Sequence, residues 1–228
     1  MNSSSKSKLL RLVGYGLLLL SLLDLIDTLV PLNLMEPVWQ FQTLGKLVEQ
    51  VPVPLIGIVL IFYGSRNSWA KWEQSLLKLL SWGALLAGIG YFLLVPLGLF
   101  STLQIDRSNQ NQLKQQISQG LNQIDSIKAQ VATVNTEPEM QALLKQIQGL
   151  PPEIKEFQEL GESKKKLTKF ITRIAETSVN QLNQKYFQTR LQLLKQSVKW
   201  NLGSLVSGFL FIGIWQMTNW ARSLQIKK

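Results

Sequence analysis

The 228-residue sequence predicts an all-α membrane protein. It would have four transmembrane helices, with a long extramembrane helical hairpin, a coiled-coil-like arm, between the third and fourth spans. Three observations carry that expectation. Apolar stretches at about 9–30, 79–100 and 200–220 meet the requirement of about 20 residues for a helix crossing ~30 Å of hydrocarbon. A shorter apolar stretch lies between the first two. About a hundred polar residues rich in Gln, Lys, Glu and Asn then separate Phe100 from Trp200, with apolar side chains recurring at helical spacing. The implied domains are a membrane domain at 1–100, the arm at 101–199, and a last span with a basic tail at 200–228.

The first span, Leu9 to Val30, is interrupted by Arg11 near its start and by Asp24 and Asp27 near its end. The second is expected at about 47–64, where Val51 to Gly64 alone is short for a full crossing at ~1.5 Å per residue. Its Pro52 and Pro54 suit a first helical turn, where a missing N–H costs nothing. A re-entrant hairpin is the competing reading. Leu79 to Phe100 carries no charge, and neither does Trp200 to Trp220. Within these spans Gly83 and Ala87, Ala84 and Gly88, and Ser204 and Gly208 are small residues four apart, a spacing that lets the third and fourth spans pack closely.

Charge sets the orientation. Lys6, Lys8 and Arg11 precede the first span, Arg66, Lys71 and Lys78 precede the third, and Arg222, Lys227 and Lys228 follow the last. By the positive-inside rule these flanks and both termini are cytoplasmic. The intervening segment from Pro31 to Gln50, read as a loop, balances Lys46 against Glu36 and Glu49 and falls on the other side with the arm. Trp39, Trp69, Trp72, Trp82, Trp200, Trp215 and Trp220 cluster near span ends, where indole rings anchor at the headgroup level.

In the arm, Leu113, Ile117, Leu121, Ile124, Ile127, Val131 and Val134 are spaced on average 3.5 residues apart, a coiled-coil period. Asn135 to Pro138 should break this helix. A short helix from Glu139 to Gln148 would then bury Met140, Leu143, Leu144 and Ile147, and Gly149 with the Pro151–Pro152 pair should end it. The period resumes through Ile154, Phe157 and Leu160. A descending helix then carries Leu167, Ile171, Ala175, Val179, Leu182, Tyr186 and Leu193, running unbroken through Lys199 into the last span. Apolar side chains are sparse here, so Leu121 and Ile124 are candidate contacts to a second copy or to a partner's helices. Lys164, Lys165 and Lys166 are either a solvated face or a phosphate contact.

Composition excludes several chemistries. With no Cys there is no disulfide, thiolate nucleophile or Fe–S ligand, and with no His the commonest general base and metal ligand are missing. No catalytic, cofactor-binding or metal site is expected. The net charge of +10 reads as basic flanks meeting anionic lipid rather than as a nucleic-acid surface. Asp24 and Asp27 share a helix face within or beside the membrane. They are either hydrated at the headgroup level or a polar contact to a partner subunit, a cation or a proton, with Arg107 or Lys46 as counter-charge.

The stretches LVGYGLLLLSLLDLIDTLVP and VWQFQTLGKLVEQVPVPLIGIVLIFYG, together about Leu9 to Gly64, resemble the HpsJ-type membrane proteins of cyanobacteria, named for hormogonium polysaccharide secretion. The resemblance implies a non-enzymatic accessory or scaffold subunit of an exopolysaccharide export system. The partners would be lipids and other membrane subunits, with a possible homo-oligomer through the arm. The same anatomy suits an assembly factor for a thylakoid complex. A small transporter or channel subunit using Asp24 and Asp27 is the reading from a different class. The plasma membrane is favoured over the thylakoid.

Overall fold

The computed structural model describes residues 3–63, 71–147, 151 and 159–223, and no strand occurs among them. In chain order the helices are α1 (Ser3–Leu29), α2 (Pro37–Gln50), α3 (Pro52–Phe62), α4 (Lys71–Thr133), α5 (Glu137–Gln146), α6 (Leu160–Met217) and the single turn α7 (Asn219–Arg222). Four segments are long and apolar enough to cross a membrane: 7–29, 37–62, and stretches within α4 and α6. The chain divides into two compact units. One comprises 1–105 with 192–228, and the other 106–191.

Three expected boundaries change. Residues 37–50 are helical rather than a loop, because Pro37 sits in the first turn of α2. α2 continues into α3 through Val51, which keeps right-handed helical dihedrals (φ −48°, ψ −41°), so the second apolar segment is 26 residues long and starts well before position 47. That length removes the shortfall that a start near Val51 implied. The third span and the ascending arm helix are one 63-residue helix with Pro96 inside it. α6 runs unbroken from the arm through the last apolar stretch, as the periodicity predicts, but it begins at Leu160 and stops at Met217.

In the apolar unit, helices meet where side chains are smallest. At the α1–α3 crossing a Cβ on Gly14 would lie 2.8 Å from the Gly57 carbonyl oxygen. At the α4–α6 crossing a Cβ on Gly208 would lie 3.2 Å from the Gly88 carbonyl oxygen, with Ala84 and Ser204 almost fully buried alongside. The expected packing of the third and fourth apolar segments is thus present, although Gly83 faces open space instead. Outside these contacts much of the unit's exterior is apolar: Leu12, Leu19, Leu86, Leu93 and Phe209 are all more than 60% exposed. A water-facing protein does not present such a surface, and a bilayer does cover it.

The polar unit is built the opposite way. Asp106 on α4 meets Tyr186 and Arg190 on α6, whereas Val131 clusters with Leu167 and Ile171. As α4 advances its partners on α6 recede, so the two stretches are antiparallel. Val131, Met140, Leu143, Leu144, Leu167 and Ile171 form the buried core, and Ile124, Ile127, Val134, Ile147, Leu160 and Phe170 pack against it. Met140, Leu143 and Leu144 take the burial expected of the short helix. That helix starts two residues earlier than expected, because Pro138 occupies its first turn rather than breaking the chain. The Glu139 carboxylate accepts backbone N–H bonds from Asn135 (3.2 Å) and Thr136 (3.3 Å) just before α5. Chiefly through the Asn135 N–H, this holds it below the usual carboxylate range.

Candidate functional site

Two surfaces are candidates for function: the exterior of the apolar unit near α1 and α2, and the polar unit's helix pair. Within the apolar unit, α2 is held by close contacts with α4 and α6. Gly45 takes the indole of Trp200, since a Cβ there would lie 2.5 Å from the ring. Phe41 packs beside the same ring at 4.6 Å between centroids. The indole N–H of Trp200 and the Lys199 ammonium both donate to Glu49 Oε1, at 3.2 and 2.9 Å. Val48 fills the space beside Gly203, and Leu44 that beside Gly98.

Polar groups close the same end. Ser101 Oγ donates to Gln40 (2.6 Å), Thr102 Oγ1 lies 2.8 Å from Ser197 Oγ, and Asn201 Nδ2 donates to the Ser197 carbonyl (2.7 Å). Buried hydroxyls and amides in an apolar medium need such partners. This network explains why the compact apolar unit extends past position 100 and begins again at Gln192.

At the opposite end of α6, Arg222 donates to Ser81 Oγ (2.8 Å) and to the Trp215 carbonyl (2.5 Å), and lies 4.4 Å from the Trp215 ring centroid. Arg11 pairs with Glu73 at 3.5 Å, with both side chains largely buried. The sequence signal for this pair was a cation inside an apolar run. It reads equally well as a positive-inside flank, and only the approach of α1 to the start of α4 reveals its partner.

The tryptophans separate into two groups. Trp72 and Trp82 are more than half exposed, as interfacial anchors require, and Trp39 is half-buried. Trp200, Trp215 and Trp220 are partly buried and pack against other helices, Trp220 edge-on to Phe62 at 6.0 Å. Trp69 lies outside the described residues, as do Arg66, Ile154 and Phe157.

Asp24 and Asp27 are both exposed. The inward position at this level of α1 belongs to Thr28, buried and hydrogen-bonded reciprocally with Gln50 at 3.3–3.4 Å. Among the described residues neither acid forms an ion pair, and Lys46 and Arg107 do not reach them. A lateral apolar cavity of about 630 Å3 lies nearby, bounded by Leu25, Gln50, Ile58, Gly83, Ala87 and Gly90, and neither acid lines it. The two carboxylates face whatever surrounds the helix bundle.

Of the two candidate contacts in the polar unit, Ile124 packs against the chain's own core and Leu121 is 40% exposed. The seam that the 3.5-residue spacing described is satisfied within the chain at its α5 end, where Ile124 packs, and is open at Leu121. The basic residues of this unit gather instead. Lys128 on α4 and Lys164, Lys165, Lys169 and Arg173 on α6 line a groove of about 920 Å3. No spacing rule connects position 128 to 164–173, so this grouping was not legible before folding.

Among the described residues, no cluster of three or more carboxylates is arranged to hold a metal ion. No curated protein and no solved structure matches the chain. The sequence profile described as HpsJ-like protein matches residues 5–219, which takes in the polar arm as well as the stretch from Leu9 to Gly64 that carries the visible resemblance. The chain belongs to the HpsJ-like family.

Proposed function

We propose that this protein is a non-enzymatic scaffold or accessory subunit of a polysaccharide secretion system, held in the plasma membrane by its four apolar segments. The observation that carries the reading is the family match across 5–219, because it includes the arm, and so the whole anatomy, rather than the first two segments alone. Two structural features support it. The apolar unit spends its own polar groups on internal packing, while Asp24 and Asp27 stay available on the exterior of α1 for a neighbouring subunit. The arm is polar and basic and stands between two apolar segments that enter from the same side. In this reading both termini are cytoplasmic and the arm faces the exported polymer.

Co-purification from native membranes tests the role. Recovery of polysaccharide-export subunits supports it, and recovery of photosystem subunits replaces it with assembly of a photosynthetic complex. Asp24→Asn with Asp27→Asn should lower partner recovery; single changes are too small a probe, since polar contacts between membrane helices average about 0.6 kcal/mol. Unchanged recovery leaves the acids as hydration sites. Topology is checked separately with single Cys residues placed at Ser4, Ser65, Ser223 and Gln119 in a chain that has no Cys of its own. Only the Gln119 site should react with an impermeant thiol reagent in intact spheroplasts.

A further inference from the structure

The groove in the polar unit concentrates charge of one sign. Among the described residues five cations line it, Lys128 from α4 and Lys164, Lys165, Lys169 and Arg173 from α6, against a single acid, Glu176. Among the described residues none of the five forms an ion pair; the neighbouring Lys166 is the one that pairs with Glu162, at 3.7 Å. Lys164 is oriented by its hydrogen bond to the Ala132 carbonyl (3.4 Å), which brings it towards α4.

The grouping has a structural cause. On α6 the basic positions lie beside the buried stripe of Leu167, Ile171 and Ala175, so burying that stripe against α4 forces the cations to the rim of the helix pair. Like charges brought together without counter-ions cost stability, and a bound anion offsets that cost.

The shape selects among anions. The cations occupy both walls of a trough, and Lys164 to Arg173 span about 13 Å along α6 at 1.5 Å per residue. A flat headgroup surface meets one face of a helix, whereas a trough fits a strand laid along it. Among the described residues no aromatic ring lines the groove, so the strand would be recognised by charge and by the Thr168 and Thr172 hydroxyls rather than by base stacking. The geometry points to a binding groove for an anionic polysaccharide, a linear glycan bearing carboxylate or sulfate groups. This inference rests on the secretion role proposed above and names the ligand class of the arm.

The test uses the full chain in neutral-detergent micelles, with alginate oligomers as the anionic glycan and dextran as the neutral one. Alginate should bind, weakening as salt is raised because exposed charges are screened, and dextran should not. Replacing Lys128, Lys164, Lys165, Lys169 and Arg173 together with Gln should weaken alginate binding at least tenfold. Replacing Lys114, Lys145 and Lys185 should change it less than twofold. Equal weakening in both variants, or no alginate binding, overturns the groove.

Tighter binding to phosphatidylglycerol vesicles or to single-stranded DNA than to alginate also overturns it. Acetylation of the unmodified chain, read by mass spectrometry, guards against a misfolded variant. Alginate should protect the four groove lysines more than Lys114 and Lys185, and uniform protection counts against the proposal. In cells, a deletion that abolishes secretion while the five-Gln variant secretes normally sinks the groove and leaves the secretion role standing. Normal secretion after deletion removes the role itself.

Discussion

The closest helix crossings in the apolar unit run across glycine backbones, with Leu44, Ile61 and Leu77 buried around them, whereas helices in the polar unit meet across leucine, isoleucine and methionine side chains. Gly14 faces Gly57 and Gly88 faces Gly208 in the first; Met140 and Leu167, both fully buried, lie at the centre of the second. The difference follows from the surroundings. Lipid is as apolar as leucine, so burying leucine between membrane helices gains little, and stability comes from close backbone approach and from hydrogen bonds. Water rewards apolar burial directly, at about 25 cal/mol per Å2. One chain thus uses two packing rules, and each substitution should be felt through the rule of its own unit.

The largest effect is expected in the polar core. Leu167→Ala removes a fully buried side chain and should cost about 2–5 kcal/mol. Hydrogen exchange should rise in α5 and the start of α6 while the Gly14–Gly57 crossing stays protected. Exchange rising equally in both units would show that they unfold together. Next comes Gly14→Leu, which places a Cβ 2.7 Å from Ile61 Cγ1 and should cost about 1–3 kcal/mol or more, because backbone must move. Gly83→Leu is its control: nothing lies within 4 Å of a Cβ there, so the loss should stay within about 0.5 kcal/mol. Detergent-titrated unfolding compares the two, and equal losses would remove close backbone approach as the principle of the apolar unit.

Smaller effects sharpen the comparison. Ser101→Ala removes the hydrogen bond to Gln40 and should cost about 0.6 kcal/mol in the same titration. A loss several times larger would make the polar network, rather than the glycines, the main support of that end. The smallest effect is a pH response at the start of α5. The Glu139 carboxyl is held low in the folded chain, so its contribution is present above the ordinary carboxylate range and is lost as pH falls through the folded value. Protection of the Thr136 and Met140 amides, corrected for the intrinsic pH dependence of exchange, should therefore fall in acid, and Glu139→Gln should remove the difference. A protection factor that does not change with pH in the unaltered chain would deny the carboxylate its capping role.

The elements differ in how far they could be read in advance. Apolar runs and the 3.5-residue spacing show which segments are helices and which of their residues seek burial, as Met140, Leu143, Leu144, Leu167 and Ile171 confirm. Pro37 and Pro138 were harder, because a proline is compatible both with a break and with a first helical turn. Among the candidate functional residues, the spacing placed Leu121 and Ile124 on one seam, yet only Ile124 packs in the core. An average period over one helix does not show where the partner helix stops following it.

What the sequence by itself determined was most of the helices, α2 excepted, their apolar and polar division, and the packing of the third and fourth apolar segments through small residues, all written in spacings of three or four positions. Contacts between distant positions belong to the tertiary structure alone. Gly45 receiving Trp200, Arg11 meeting Glu73, and Lys128 joining Lys164, Lys165, Lys169 and Arg173 all depend on which helix faces which and at what height. Local periodicity fixes the face of a helix but carries no information about its register against another. That register is set by steric fit at Gly57 and Gly208 in one unit and by the antiparallel return of α6 along α4 in the other.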